Sequence, residues 1–247
     1  MKLTPTSPAM LGSLLIGAAA ISASEGAVVI NHIGDLVSYD FNGGVDSSPS
    51  QIFTDFPTFD SVVLEDFSVT SDLRQVTRVS VLFHSQGGFD SFDDVEGYSL
   101  SIYTDANFAG VSLIGDVANL LVMTGSGAAV SQVIDSSTGN EYGLVTLDVD
   151  ITLPSAGTYW IGVSPKSSLS ASGQFLIPYG GATGSTTPGN SDARLANPGE
   201  GFGMGTLTVL DQDYAYSVTS IPEPGFVPLW IVSGAALCLR RNRTRNS

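Results

Sequence analysis

The sequence predicts an all-β protein: an antiparallel two-sheet β-sandwich, jelly-roll-like, set between two apolar terminal segments. Three observations carry this expectation. Apolar and polar residues alternate with period two in several stretches, the pattern of a strand with one face in a core and one in water. Gly, Asn, Asp, Ser and Pro punctuate those stretches. No long stretch with a helical period lies between the two ends of the chain.

The elements follow in chain order. Residues 27–31, 36–41 and 61–69 are the first strand candidates. Val79, Val81 and Phe83 then alternate with Ser80 and Leu82, and Tyr98, Leu100 and Ile102 alternate with Ser99 and Ser101. "DVANLLVM" at 116–123 fits either a short helical turn or a further strand, and 128–134 fits a strand. The cleanest alternation sets Val145, Leu147, Val149, Ile151 and Leu153 against Thr146, Asp148, Asp150 and Thr152. Tyr159, Ile161 and Val163 face one way in "GTYWIGV", and 174–178 is the next candidate. Residues 178–205 are rich in Gly, Pro, Ser and Thr, and read as a surface loop because strand patterns resume at 206–210 and 214–219. About ten short strands at this spacing suggest two packed antiparallel sheets. There is no fixed-period repeat.

The chain has 247 residues and a formal net charge of −15. Of its 24 acidic residues, all but Glu25 and Glu223 fall within 27–221, against Arg74, Arg78, Lys166 and Arg194. Such a domain repels phosphate backbones, so nucleic acid is excluded as a partner. It also disfavours anionic polysaccharide unless divalent cations bridge the charges. Cys238 is the one cysteine and lies outside this region, so a disulfide, a thiolate nucleophile and a Cys-based metal site are all excluded there.

The first 27 residues read as a secretory signal peptide. Lys2 is the only charge before Glu25, and Ala9 to Ile21 is a short apolar run followed by small residues. Cleavage is expected near 23–27, after Ala23 or Ala27. The alternative, a first transmembrane helix, suits the short Gly- and Ala-rich run less well. Residues 28–220 form the expected extracytoplasmic domain. In the last segment, 221–247, Pro222, Glu223 and Pro224 precede an uncharged, mostly apolar run over 226–239, then Arg240, Arg241, Arg243 and Arg245. As a helix the run reaches roughly 21 Å, against about 30 Å of hydrocarbon. It is expected to be a single C-terminal transmembrane helix that spans with local thinning or snorkelling. The arginines stop transfer and stay on the cytoplasmic side.

A Pro-Glu-Pro tripeptide, a short apolar helix and a terminal arginine cluster together resemble the PEP-CTERM sorting tail. "ARLANPGEGFGMGTLTVLDQDYAYSV" and "AGTYWIGVSP" are similar to the last strands of ectodomains that carry this tail. The resemblance implies removal of the tail near Pro222–Pro224 by an exosortase-type enzyme, after a signal peptidase has acted at the other end. It also implies association with exopolysaccharide and biofilm export. Pro228 departs slightly from a regular helix, but proline is tolerated in a first turn.

Candidate chemistry is sparse. No Gly-x-Ser-x-Gly or His-Glu-x-x-His occurs, and the glycines sit in turns, not in a phosphate loop before a helix. His32 and His84, the only histidines, read as structural or surface residues. Paired carboxylates for glycoside hydrolysis need a separation that sequence does not give. Asp90, Asp93, Asp94 and Glu96 crowd the loop "FDSFDDVEGY", where oxygen ligands would suit a structural Ca²⁺ or simply a solvated hairpin loop. Asp211 and Asp213 form a smaller pair. Trp160 lies opposite Tyr159 and Ile161 on its strand, as a sugar-stacking surface or as a core residue; Tyr179 and Phe202 are weaker stacking candidates.

The expectation is an exported, non-catalytic structural or binding domain. It would be held at the inner membrane as an intermediate, then delivered to the envelope, cell surface or extracellular matrix. The alternatives are a secreted carbohydrate-binding module and a glycoside-active enzyme.

Overall fold

The computed structural model of the protein describes residues 26–36, 47–86, 92–106, 113–134, 141–180 and 192–222. In chain order the strands are β1 (Ala27–Asn31), β2 (Ser47–Pro49), β3 (Ile52–Phe53), β4 (Val62–Val69), β5 (Gln75–Gln86), β6 (Gly97–Tyr103) and β7 (Ala118–Met123). They continue with β8 (Ala128–Ile134), β9 (Glu141–Thr152), β10 (Gly157–Ser167), β11 (Gln174–Pro178), β12 (Arg194–Ala196), β13 (Leu207–Val209) and β14 (Tyr216–Ile221). One 3-10 turn, Pro57–Phe59, and one helical turn, Leu169–Ser172, are the helical elements among the described residues.

The strands form two sheets. The first is built on long β5, which pairs with β9 along one edge and with β14 and β11 along the other. Strand β8 lies outside β9, β1 outside β14 and β2 outside β11. The second sheet runs β13-β12-β4-β10-β6-β7. Its pairings are antiparallel apart from a short parallel contact of β3 with the end of β10. The chain crosses between sheets repeatedly, at β4–β5, β9–β10, β10–β11 and β13–β14.

Alternation decides what each sheet buries. Val79, Val81 and Phe83 of β5 and Val145 and Leu147 of β9 face Tyr98, Leu100, Ile102, Tyr159, Ile161 and Val163 of the other sheet, in one core cluster. Each such side chain contributes about 1.5–3 kcal/mol of transfer free energy before ordering costs. The outer face of the second sheet carries a smaller cluster of Val62, Leu64, Tyr103 and Ala196. At one flank the chain turns from β7 to β8, each an outermost strand, through Gly125 and Gly127 at φ 75° and 90°, where a side chain would be strained.

Strands β4 and β10 pair as far as Leu64 and Gly162. Beyond that point side chains bridge them. The Tyr216 hydroxyl, reaching across the core from β14, accepts from the Val163 N–H (3.0 Å) and donates to the Val63 carbonyl (2.8 Å). Ser50 Oγ accepts from the Val63 N–H and donates to the Val163 carbonyl. These are the partners that buried backbone groups require.

The strands expected at 27–31, 128–134 and 174–178 form with those bounds. "DVANLLVM" resolves as a strand. The reading of 178–205 as loop alone is corrected: β12 lies inside it, between β4 and β13, with Leu195 and Ala196 buried. Three residues hydrogen-bonded on both sides need no visible alternation. Of the candidate at 36–41, Leu36 is in a turn and 37–41 lie outside the described residues, as do residues 1–25, Asp90 and everything after Pro222. Among the described residues no helix is long and apolar enough to cross a membrane.

Candidate functional site

Strand β4 reads "VVLEDFSV", and its alternation sends Val63, Phe67 and Val69 into the core. Glu65 shares that parity. It is a carboxylate on the inner face of a sandwich, fully buried. A charge there is costly unless it is paired and hydrogen-bonded.

Two partners meet it from the opposite sheet. The Tyr214 N–H, just before β14, donates to Oε2 at 2.8 Å. His32, just after β1, brings Nδ1 to 3.2 Å from Oε1. That approach is an ion pair with at best a weak, poorly directed hydrogen bond, and Nε2 of His32 has no hydrogen-bond partner. Asp213, half-buried on the segment leading to β14, completes the group: one ligand-type atom from each of His32, Glu65 and Asp213 lies within 4.8 Å of the others.

The local chain explains the placement. The His32 N–H donates to the Tyr216 carbonyl (2.8 Å), extending the β1–β14 ladder by one residue. The Gly180 N–H donates to the Asp213 carbonyl (2.8 Å) and holds that turn against the end of β11. A Cβ at Gly180 would press on Cβ of His32 at 3.0 Å, so glycine lets the histidine pack there. Tyr214 is fixed by its hydroxyl, 2.7 Å from Ser48 Oγ, and by edge-to-face contact with Tyr179 at 5.2 Å.

The electrostatics follow. Burial pushes the Glu65 carboxyl up to about 7, against His32 and the Tyr214 N–H, which pull it down; Asp213 adds to the rise. Burial alone would lower His32, but the carboxylates of Glu65, Asp213 and Asp66 outweigh it and raise the imidazole above its ordinary value. His84, in contact with Tyr142, is lowered by burial. The His32–Glu65 centre therefore holds two groups that both favour a proton near neutrality, with a carboxylate oxygen of Asp213 within 4.8 Å of both.

The residues singled out from sequence fall elsewhere, apart from Asp213 and His32. Asp93 and Asp94 are exposed in the turn between β5 and β6. Exposed Glu96 pairs with Lys166, its Oε2 2.8 Å from Nζ. Trp160 faces away from the inter-sheet core, half-buried against the outer Val62–Leu64–Tyr103 cluster. Its Nε1 is buried without a hydrogen bond. Phe202 packs edge-on to Phe59 at 5.2 Å. Asp211 is exposed, and Pro222 is exposed at the end of β14. The central residue, Glu65, was missed: it stands beside Asp66 in a strand whose two faces are both apolar, so the sequence does not show which of the two acids points inward.

No protein-family model and no curated protein sequence matches the chain.

Proposed function

We propose that the chain is an exported, non-catalytic structural or binding protein of the cell envelope or extracellular matrix, a jelly-roll-like sandwich whose tail is a PEP-CTERM-like sorting signal. The observation that carries this reading is the junction. Strand β14 runs to Ile221, and exposed Pro222 opens the Pro222-Glu223-Pro224 motif. A cut within the motif severs none of the strands among the described residues. At the other end β1 begins at Ala27, which pairs with Ser220, so signal cleavage after Ala23 leaves β1 whole while cleavage after Ala27 trims it.

Two further features support the reading. The repeated crossing of the chain between sheets is the connectivity a jelly roll uses. Glu65, the carboxyl with the most altered proton affinity among the described acids, is fully buried between the sheets, out of reach of a polymeric substrate. The acidity of the surface suits a protein that stays soluble outside the cell.

The test is the intact mass of the mature protein, taken separately from membrane and culture-medium fractions. The expected species starts at Ser24 and ends between Pro222 and Pro224. A membrane species that still carries Arg240 to Ser247, with no shortened form in either fraction, overturns the sorting assignment.

A further inference from the structure

We infer that His32, Glu65 and Asp213 form a binding site for one divalent first-row transition ion, of which Zn²⁺ is the probe, clamping the two sheets at one end of the sandwich. The assignment concerns the folded domain alone and stands independently of how the tail is processed.

The first argument is direction. A hydrogen bond needs the N–H axis to pass through the acceptor. His32 Nδ1 and Glu65 Oε1 are 3.2 Å apart, an ion pair that falls short of a well-directed hydrogen bond, and Nε2 has no partner at all. Two metal ligands instead aim their lone pairs at a third point. At about 2.1 Å from a shared ion, atoms separated by 3.2 Å subtend roughly 100°, between the octahedral and tetrahedral angles. Both side chains are more than nine-tenths buried, with His32 5 % and Glu65 0 % exposed, so no bulk water satisfies the atoms left without hydrogen bonds.

The second argument is support. The other carboxylate oxygen, Oε2, is held by the Tyr214 N–H at 2.8 Å, which fixes Glu65 to bind through Oε1 alone. The His32 backbone is held by Tyr216 and the Asp213 backbone by Gly180. Ligands oriented by hydrogen bonds of this kind are the usual outer shell of a metal site. Asp213 is half-buried and gives the ion a way in from solvent.

The third argument is the donor set. Two carboxylates and an imidazole form a site of net charge −2, which a divalent ion neutralises inside a low-dielectric core. The imidazole turns the choice from Ca²⁺ or Mg²⁺, which take oxygen ligands, toward ions that accept nitrogen.

The test uses the full chain in mild detergent, stripped by a chelator that is then removed. Zn²⁺ is titrated by calorimetry, with metal content measured after desalting. Because the chain has two histidines, the ¹⁵N imidazole signals are read in parallel, with His84→Gln to assign them. The expected result is one tightly held Zn²⁺ per chain, a shift of the His32 Nδ1 signal with none at His84, and a higher unfolding temperature. Glu65→Gln should abolish this binding, and Asp213→Asn, the same size and at a half-exposed position, should weaken it at least tenfold while unfolding cooperatively. Zn²⁺ held equally by both variants, an unmoved His32 signal, or a Ca²⁺ affinity above that for Zn²⁺ would each overturn the assignment.

Discussion

Glu65→Gln in metal-free protein is the most informative single change. It keeps an oxygen to accept the Tyr214 N–H and removes the buried charge. The carboxyl is pushed from its ordinary 4.5 to about 7, so the folded state holds a proton that the unfolded chain has released between those values. Its contribution is fully present below about 4.5 and lost as pH rises through about 7. His32, also raised, acts with the same sign: its contribution is present below 6.5 and lost above its raised value. The Glu65 part is worth roughly 3 kcal/mol, or on the order of 5–10 °C for a domain of this size. The expected result is that chelated wild type melts higher at pH 5 than at pH 8. In Glu65→Gln most of that slope disappears, and at pH 8 the variant is at least as stable as wild type. The assay is scanning calorimetry of both proteins across that range. General relief of repulsion among surface acids is common to the two, so the difference between slopes reports the Glu65 carboxyl together with the part of the His32 shift that it causes. Equal slopes would refute the account of a strained buried carboxyl.

Other changes test the frame around the site. Tyr216→Phe removes the hydroxyl that serves Val163 and Val63, and should cost about 2–4 kcal/mol in urea unfolding, because a buried N–H and carbonyl lose partners. Gly162→Ala places a methyl against the Val62 and Leu64 side chains on the outer face and should cost about 1–3 kcal/mol by the same measurement. Lys166→Ala breaks an exposed ion pair with Glu96 and should change stability by less than about 1 kcal/mol, with the difference vanishing in high salt.

The frame was legible where burial is one-sided. β9 could be read residue by residue because Thr146, Asp148 and Asp150 mark its wet face against Val145, Leu147 and Ile151. β4 was legible as a strand but not as a site. It is covered on both faces, by the main core and by the Val62–Leu64 cluster, so its parity is invisible in the sequence and Glu65 could not be assigned a side. β12 and β2 escaped because three-residue strands draw their order from neighbours, not from their own pattern. The site itself joins residues 32, 65 and 213, which only the pairing of β1 with β14 and the stacking of β14 over β4 bring together. No spacing rule connects them. The acidic loop at 93–96 was legible for the opposite reason: its charges cluster in sequence because they are solvated, and one of them is engaged by Lys166.

The position of β14 ties the buried centre to the end of the domain. The strand enters beside Asp213 and Tyr214, and leaves at Ile221 toward the Pro-Glu-Pro motif. It is an interior strand, hydrogen-bonded to β1 on one side and β5 on the other. Were the chain tethered through its C-terminus, as proposed above, any load on the tether would fall on this strand. Drawing it out would break two ladders together and pull Tyr216 from between β4 and β10. It would also strip the Tyr214 N–H from Glu65, leaving that carboxylate buried with one fewer partner. An edge strand in the same place would peel one hydrogen bond at a time. The domain therefore bears its exit through an interior strand bonded on both sides, and the His32–Glu65–Asp213 centre lies at the end of that strand farthest from the tail.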